Sequence, residues 1–207
     1  MTVTAVEEYT KGKYKIFLND EFAFVLYKGE IRKLGIEPDR ELSPEQIRDI
    51  KEGILYKRAV LRAMNLLKSR DYTEKALKIK LRDGMYTEDI IDGAAEYVKR
   101  YGYIDDRRYA ENYIRGNRSS KSRKEIRMKL LEKGVSPDII EAAFEEEGDD
   151  GENEAELIKK ILRKKCRNAD CEDRSFRRKI LSYMYAKGFS TEKTERLLDE
   201  VLLDITS

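Results

Sequence analysis

The feature that most constrains this chain is a pattern that occurs three times. Laying LKIKLRDGMYTEDIIDGAA (77–95) over IRMKLLEKGVSPDIIEAAF (126–144), at an offset of 49, puts Leu77 on Ile126, Leu81 on Leu130, Tyr86 on Val135 and Thr87 on Ser136. Ile90 and Ile91 then fall on Ile139 and Ile140. ILSYMYAKGFSTEKTERLL (180–198) repeats the second copy at an offset of 54, with Ile180, Met184, Gly188, Phe189 and Ser190 in the places of Ile126, Leu130, Gly134, Val135 and Ser136. Self-similarity at such a period means that one supersecondary unit is stacked, each copy burying against its neighbours an apolar face that it cannot bury alone. Within a copy the apolar residues keep helical spacing up to a short turn. Thr87, Ser136 or Ser190 then stands where an N-cap oxygen accepts from the free N–H groups of a second helix. A further helical pattern precedes each copy, near 57–69, 106–117 and 154–168, so the unit is three helices. The third copy carries Lys193 and Thr194 in place of the isoleucine pair, the more polar face expected of a terminal, capping repeat. Gly84 stands one place earlier in its repeat than Gly134 does, which predicts a different turn in the first copy.

The first 27 residues have another character. VTAVEEY, YKIFL and FAFVLY are short aromatic or β-branched runs separated by TKGK and NDE, which predicts an antiparallel meander with strands near 3–9, 13–18 and 22–27. Three strands need a surface to pack on, and the helical pattern from Lys28 onward supplies it. Ser43-Pro44-Glu45-Gln46 reads as a helix start, with Ser at the N-cap, Pro at the first helical position and Gln completing a capping box. Ile47, Ile50, Ile54, Leu55, Val60, Leu61, Met64 and Leu67 carry the spacing on to Lys68, with Gly53 expected to break it into two helices. The expected fold is mainly α: tandem three-helix repeats forming an elongated curved array, preceded by a small N-terminal antiparallel β meander. Its segments are 1–56 (meander and helical extension), 57–104, 105–150 and 151–207 (one repeat each).

A formal net charge of +2 hides a strong pattern. Residues 107–133 hold ten basic and three acidic side chains, 138–156 hold ten acidic and no basic ones, and 159–179 again hold ten basic and three acidic. Two basic blocks around an acidic one favour an anionic partner. The chain has no histidine, which removes the commonest general base and metal ligand. It has no GxxxxGK phosphate loop and no nucleophile elbow, and Cys166 and Cys171 alone make a poor zinc site. No catalytic residue, metal or cofactor is expected. With no apolar run of membrane-spanning length and no signal-peptide pattern, the expected location is cytoplasmic.

The stretch YGYIDDRRYAENYI (101–114) sets paired aspartates against paired arginines. Paired carboxylates serve glycosidases and two-metal nucleases. Here, however, the nearest further carboxylate, Glu111, lies on another side of the same helix, and Arg107 and Arg108 oppose a divalent cation. The spacing instead reads as a junction. Gly102 ends one helix, Asp105 caps the next, Asp106 meets its dipole, and Ile104 and Tyr109 have the spacing of a hydrophobic staple. Tyr109 and Tyr113, four apart, share a face.

On these residues the chain resembles the RecX family. Gly102, Tyr103, Ile104, Asp105, Asp106, Tyr109 and Ala110 are similar to the family's most recognisable motif. KLLEKGVSPDIIEAAF is similar to its second-repeat pattern, and YKIFLNDEFAF resembles the N-terminal extension of its longer members. The resemblance implies a protein that is not an enzyme and acts as a monomer on RecA recombinase assembled on single-stranded DNA, within homologous recombination, DNA repair and the SOS response. It would limit filament growth, and with it ATP hydrolysis, strand exchange and co-protease activity. The motif is then architectural and the partner surface lies elsewhere. Basic residues off the buried stripe are the candidates: Arg118, Lys121, Arg123, Lys124 and Arg127 in the second repeat, and Lys164, Lys165, Arg167, Arg174, Arg177 and Arg178 in the third. As one continuous footprint they would contact phosphates of single-stranded and, weakly, duplex DNA without reading bases, or acidic filament surface. The acidic run 145–156 reads as a solvated hinge, a screen against non-specific DNA, or a contact for basic RecA surface. Rival readings are a helix-turn-helix-like DNA-binding protein acting without RecA, and a repeat scaffold for another protein.

Overall fold

The aromatic and β-branched runs at the N-terminus pair as three strands, β1 (Val3–Thr10), β2 (Lys13–Leu18) and β3 (Glu21–Tyr27), antiparallel in the order β1-β2-β3. This computed structural model describes residues 1–148, 151–166 and 173–206, which fall into two units, Met1–Asp105 and Asp106–Ser207. In the sheet, period-two alternation separates two faces. Val3, Ile16, Leu18, Phe24 and Leu26 are buried on one, while Lys13, Lys15 and Phe17 stand opposite Tyr27, Val25 and Phe22 on the other. Asn19 and Asp20 both take positive φ, 48° and 65°, in the two-residue turn whose twist matches the flanking strands.

Helix α1 (Lys28–Leu34) leaves the sheet directly, and α2 (Pro44–Ile50) begins with the expected capping box. Ser43 Oγ accepts from the Gln46 N–H at 3.1 Å, and Gln46 Oε1 accepts from the Ser43 N–H at 2.9 Å. Gly53 does not break the rod. The chain runs from α2 through a π-helical turn, Lys51–Tyr56, into α3 (Lys57–Ser69), with helical backbone at both joins. The physical reason lies in the buried residues Ile50, Leu55, Ala59 and Ala63. The first step between them is one residue longer than the others, and the i→i+5 bonding of a wide turn absorbs that residue, keeping all of them on the core side. Helices α4 (Glu74–Arg82) and α5 (Glu88–Arg100) complete the unit. Sheet and helices share one hydrophobic core, from Val3, Ile16 and Phe24 through Ile50 and Leu55 to Leu77, Ile91 and Val98. Arg58 fastens the sheet to α3. It donates to the Val25 carbonyl at 2.6 Å, pairs with Glu30 at 3.0 Å, and lies 4.6 Å from the Tyr27 ring centroid.

The second unit contains α6 (Asp106–Asn117), α7 (Arg123–Glu132), α8 (Pro137–Glu146), α9 (Gly151–Cys166), α10 (Arg174–Ala186) and α11 (Thr191–Thr206). The first helix of each triplet packs on the third: α3 on α5, α6 on α8, α9 on α11. Repeat-equivalent positions are buried together: Leu77, Ile126 and Ile180; Leu81, Leu130 and Met184; Ala94, Ala143 and Leu197. Ile126, Leu130, Ile140 and Phe144 form one core, and Ile158, Leu162, Met184 and Leu198 another. The polar substitution in the third repeat is not on an outer face as expected. Thr194 is fully buried at the repeat position of Ile91 and Ile140, and its hydroxyl donates to the Ser190 carbonyl one turn back at 2.7 Å. Lys193 pairs with Glu154 at 2.6 Å.

The caps are not uniform either. Ser136 and Ser190 accept from the N–H groups of Ile139 and Lys193, both at 3.4 Å, whereas Thr87 has the extended cap backbone but its hydroxyl caps no N–H. After α7 and α10 the chain turns on a glycine at φ +90°, Gly134 or Gly188. There the Val135 N–H reaches back to the Leu130 carbonyl and the Phe189 N–H to that of Met184, the paired bonds of a Schellman stop. In the first repeat Gly84 is displaced as the sequence indicated, and Met85 takes the left-handed conformation at φ +61°.

Candidate nucleic-acid interface

The aspartate–arginine stretch is a junction in the structure. Gly102, at φ +70°, ends α5, with the Tyr103 N–H returning to the Val98 carbonyl at 2.9 Å, and Asp106 opens α6. Ile104 and Tyr109, expected to staple this corner, are seated in different cores, Ile104 in that of the first unit and Tyr109 against that of the second repeat. Tyr109 and Tyr113 do share a face, with ring centroids 6.4 Å apart and planes 12° from parallel. Lys133 lies over both rings, and Ala110 is fully buried.

The basic residues expected to form one footprint divide sharply by what they already hold. Arg123 and Arg127 both grip Glu141, at 3.1 and 2.8 Å, which ties α7 to α8 and holds the Glu141 carboxyl below its usual range, Arg127 contributing most. Arg123 also lies 4.3 Å from the Phe144 ring centroid. Arg177 is bound to Asp199 at 2.6 Å. Lys121 donates to the Asn117 side-chain oxygen at 2.6 Å, and Arg118 reaches the Glu147 carbonyl at 3.5 Å. Arg167 lies outside the described residues. Lys124, Lys164, Lys165, Arg174 and Arg178 remain exposed and make no ion pair among the described residues. The acidic run is not a plain linker where it is described, because Glu146 and Glu147 pair with Arg107 and Arg115 of α6, and Glu154 with Lys193.

One of these cations, Lys124, edges a groove between α7 and α10 together with Lys187, and Met128, Tyr183 and Ala186 line its floor. The Lys165 ammonium stands 4.6 Å from the Tyr183 ring centroid, and Lys124 stands 5.6 Å from that of Tyr185. Lys179, Tyr183 and Lys187, spaced four apart, form a stripe along α10. Tyr183 keeps 39% of its surface in solvent, Met128 50% and Tyr185 63%, far more than core packing would leave. The groove walls are fixed to each other. Ser122, itself buried, donates from Oγ to the Lys187 carbonyl at 2.6 Å and accepts the Glu125 N–H at 3.1 Å. Gly188 lies so close that a Cβ there would fall 2.7 Å from Ser122 Oγ and 2.9 Å from Lys124 Cβ.

Sequence reasoning found Lys124 and Lys165 but missed Tyr183, Tyr185, Met128, Lys179 and Lys187. The signal was present for one of them, since Tyr183 occupies the repeat position that holds Lys80 and Lys129 in the other copies.

Comparison with known proteins places this architecture. The family models for the second and third three-helix domains of RecX match residues 105–143 and 152–198. The regulatory protein RecX of Caldanaerobacter subterraneus subsp. tengcongensis is 33% identical over 201 residues, covering 96% of this chain and 99% of its own. The chain belongs to the RecX family. The RecX of Clostridium acetobutylicum is 27% identical over 205 residues, covering 97% of this chain and 96% of its own. A crystal structure of regulatory protein RecX superposes with a TM-score of 0.66 at 26% identity, across 96% of this chain and 98% of that one. The RecX structure from Lactobacillus salivarius gives 0.64 at 26% identity, but covers 72% of this chain and 97% of its own. Family members are regulatory proteins, and among the described residues of this one no helix is long and apolar enough to cross a membrane.

Proposed function

We propose that this RecX-family chain binds RecA filaments on single-stranded DNA and restrains their growth, lowering ATP hydrolysis, strand exchange and co-protease activity. It acts by binding, without catalysis or cofactor. The observation that carries this reading is correspondence to RecX regulatory proteins over nearly the whole chain. The cations around α10 that pair with no carboxylate among the described residues add physical support, because an anionic filament can recruit them without first breaking an ion pair within the protein. Phosphate contacts of this kind position a protein without reading sequence.

The test is the steady-state ATPase rate of RecA on single-stranded DNA, titrated with this protein. A fall at amounts well below one per RecA supports the reading, and an unchanged rate at every ratio overturns it. The informative charge reversal is Lys124→Glu with Lys179→Glu and Lys187→Glu. Reversing Arg123 and Arg127 would also strip Glu141 of its partners, so a loss there would mix folding with binding. Filament capture that persists in full in the triple variant would remove these lysines from the interface.

A further inference from the structure

We propose that the groove between α7 and α10 is a stacking site for the bases of single-stranded nucleic acid, with Tyr183 as the platform and Lys124, Lys165 and Lys187 as phosphate contacts. This rests on the reading that the second unit faces a nucleoprotein filament, and it assigns the nucleic acid, rather than acidic protein surface, to this groove.

Three observations point the same way. The first is chemistry. A half-exposed tyrosine ring and a half-exposed methionine form an apolar floor, with Lys124, Lys187 and Glu125 among its lining residues and the Lys165 ammonium over the tyrosine ring. Every base offers a π face that an aromatic ring can take without regard to sequence, while the connecting phosphates need cations at the rim. In a duplex those faces are already stacked, so the site favours single strands. The second is competition. Six arginines of this unit are held by carboxylates, Arg107, Arg115, Arg123, Arg127, Arg163 and Arg177, whereas the groove lysines pair with no carboxylate among the described residues. A lysine resting on a tyrosine face at a partly exposed site gives up little when it moves aside for a base. The third is rigidity. The Ser122–Lys187 hydrogen bond and the close approach of Gly188 fix the two walls before anything binds, so a ligand spends little on ordering them.

The experiment compares two labelled oligomers of equal length by fluorescence anisotropy, using the full chain without RecA. One is oligothymidylate and the other is the same phosphodiester backbone without bases. The proposal expects oligothymidylate to bind about tenfold more tightly than the abasic oligomer, within the range of single base–aromatic stacks. Tyr183→Leu should abolish that difference while abasic binding stays unchanged, and Tyr183→Phe should keep it. Lys187→Glu should weaken both oligomers and flatten the dependence on salt. Unchanged helical circular dichroism certifies each variant. Equal binding of the two wild-type oligomers, or a preference that survives Tyr183→Leu, overturns the stacking site. The RecA ATPase titration with the same preparations separates the two readings. A base preference lost with inhibition retained sinks the groove assignment alone, and inhibition absent with base preference present sinks filament regulation alone.

Discussion

The first repeat turns on a methionine where the second and third turn on glycine. All three need one residue in the left-handed region between their second and third helices, and Gly134 and Gly188 supply it at φ +90°. In the first repeat the glycine is spent one residue early. A Cβ at Gly84 would lie 3.0 Å from the Leu81 carbonyl oxygen and 3.0 Å from Tyr86 Cε2, so close packing under Tyr86 claims it. Met85 is left to adopt φ +61°. A left-handed L-residue costs about 1–2 kcal/mol, set against about 0.5–1 kcal/mol of backbone entropy that a glycine there would lose. The repeats therefore conserve a backbone path, and the residue that follows it depends on what packs beside it.

The largest expected effect comes from breaking the comparison at its tightest point. Gly188→Ala combines left-handed strain with the collision against Ser122 and Lys124, and should lower stability by about 2–4 kcal/mol, read from the urea midpoint. A loss below about 1 kcal/mol would mean that α7 and α10 separate easily and that the groove is not preformed. The reciprocal change sharpens it. Met85→Gly should raise stability by about 0.5 kcal/mol, the excess of strain relieved over entropy lost. A loss instead would show that the methionine side chain contributes more by packing than its backbone costs.

The smallest effect concerns the ion pairs that bind second helix to third. Glu74 of α4 holds Lys99 of α5 at 2.8 Å, and Lys78 of its own helix at 3.0 Å, while Glu141 of α8 holds two arginines of α7. Hydrogen bonds from Lys99 and then Lys78 hold the Glu74 carboxyl below its ordinary value of 4.5, and the Arg127 and Arg123 bonds do the same for Glu141. A depressed carboxylate stabilises the fold fully above the unfolded value and loses that contribution as pH falls through the folded one. The urea midpoint should therefore drop below about pH 4.5, and Glu74→Gln with Glu141→Gln should lower the neutral-pH midpoint slightly and flatten the acid slope. An unchanged acid slope would show that other carboxylates govern acid unfolding.

Much of this architecture was legible because it is periodic. The strand runs, the capping box at Ser43, the helices at 57–69 and 106–117 and the threefold pattern of buried residues all follow from spacing that local physics reads directly. What escaped depended on partners distant in sequence. Nothing near Arg123 and Arg127 announces Glu141, and nothing near Ser122 announces Lys187, yet these contacts decide which cations are available and where two repeats touch. Thr194 escaped for the opposite reason, since a hydroxyl satisfied within its own helix makes a polar residue act as an apolar one. Gly53 was misread because glycine was taken as the cause of a break, when the determinant was the phase of Ile50 against Leu55.

That phase gives the wide turn at Lys51–Tyr56 a further property. It works as a vernier in the long rod, absorbing one surplus residue so that side chains before and after it meet the same core. Deleting Gly53 would convert the wide turn to an ordinary α-helical one and leave Ile50 and Leu55 four residues apart, still on one face. Deleting a single residue from α3, between Ala59 and Ala63, would rotate everything beyond it out of register. The rod thus contains one site where chain length can change without moving the core, close to where the sheet and the first repeat are joined.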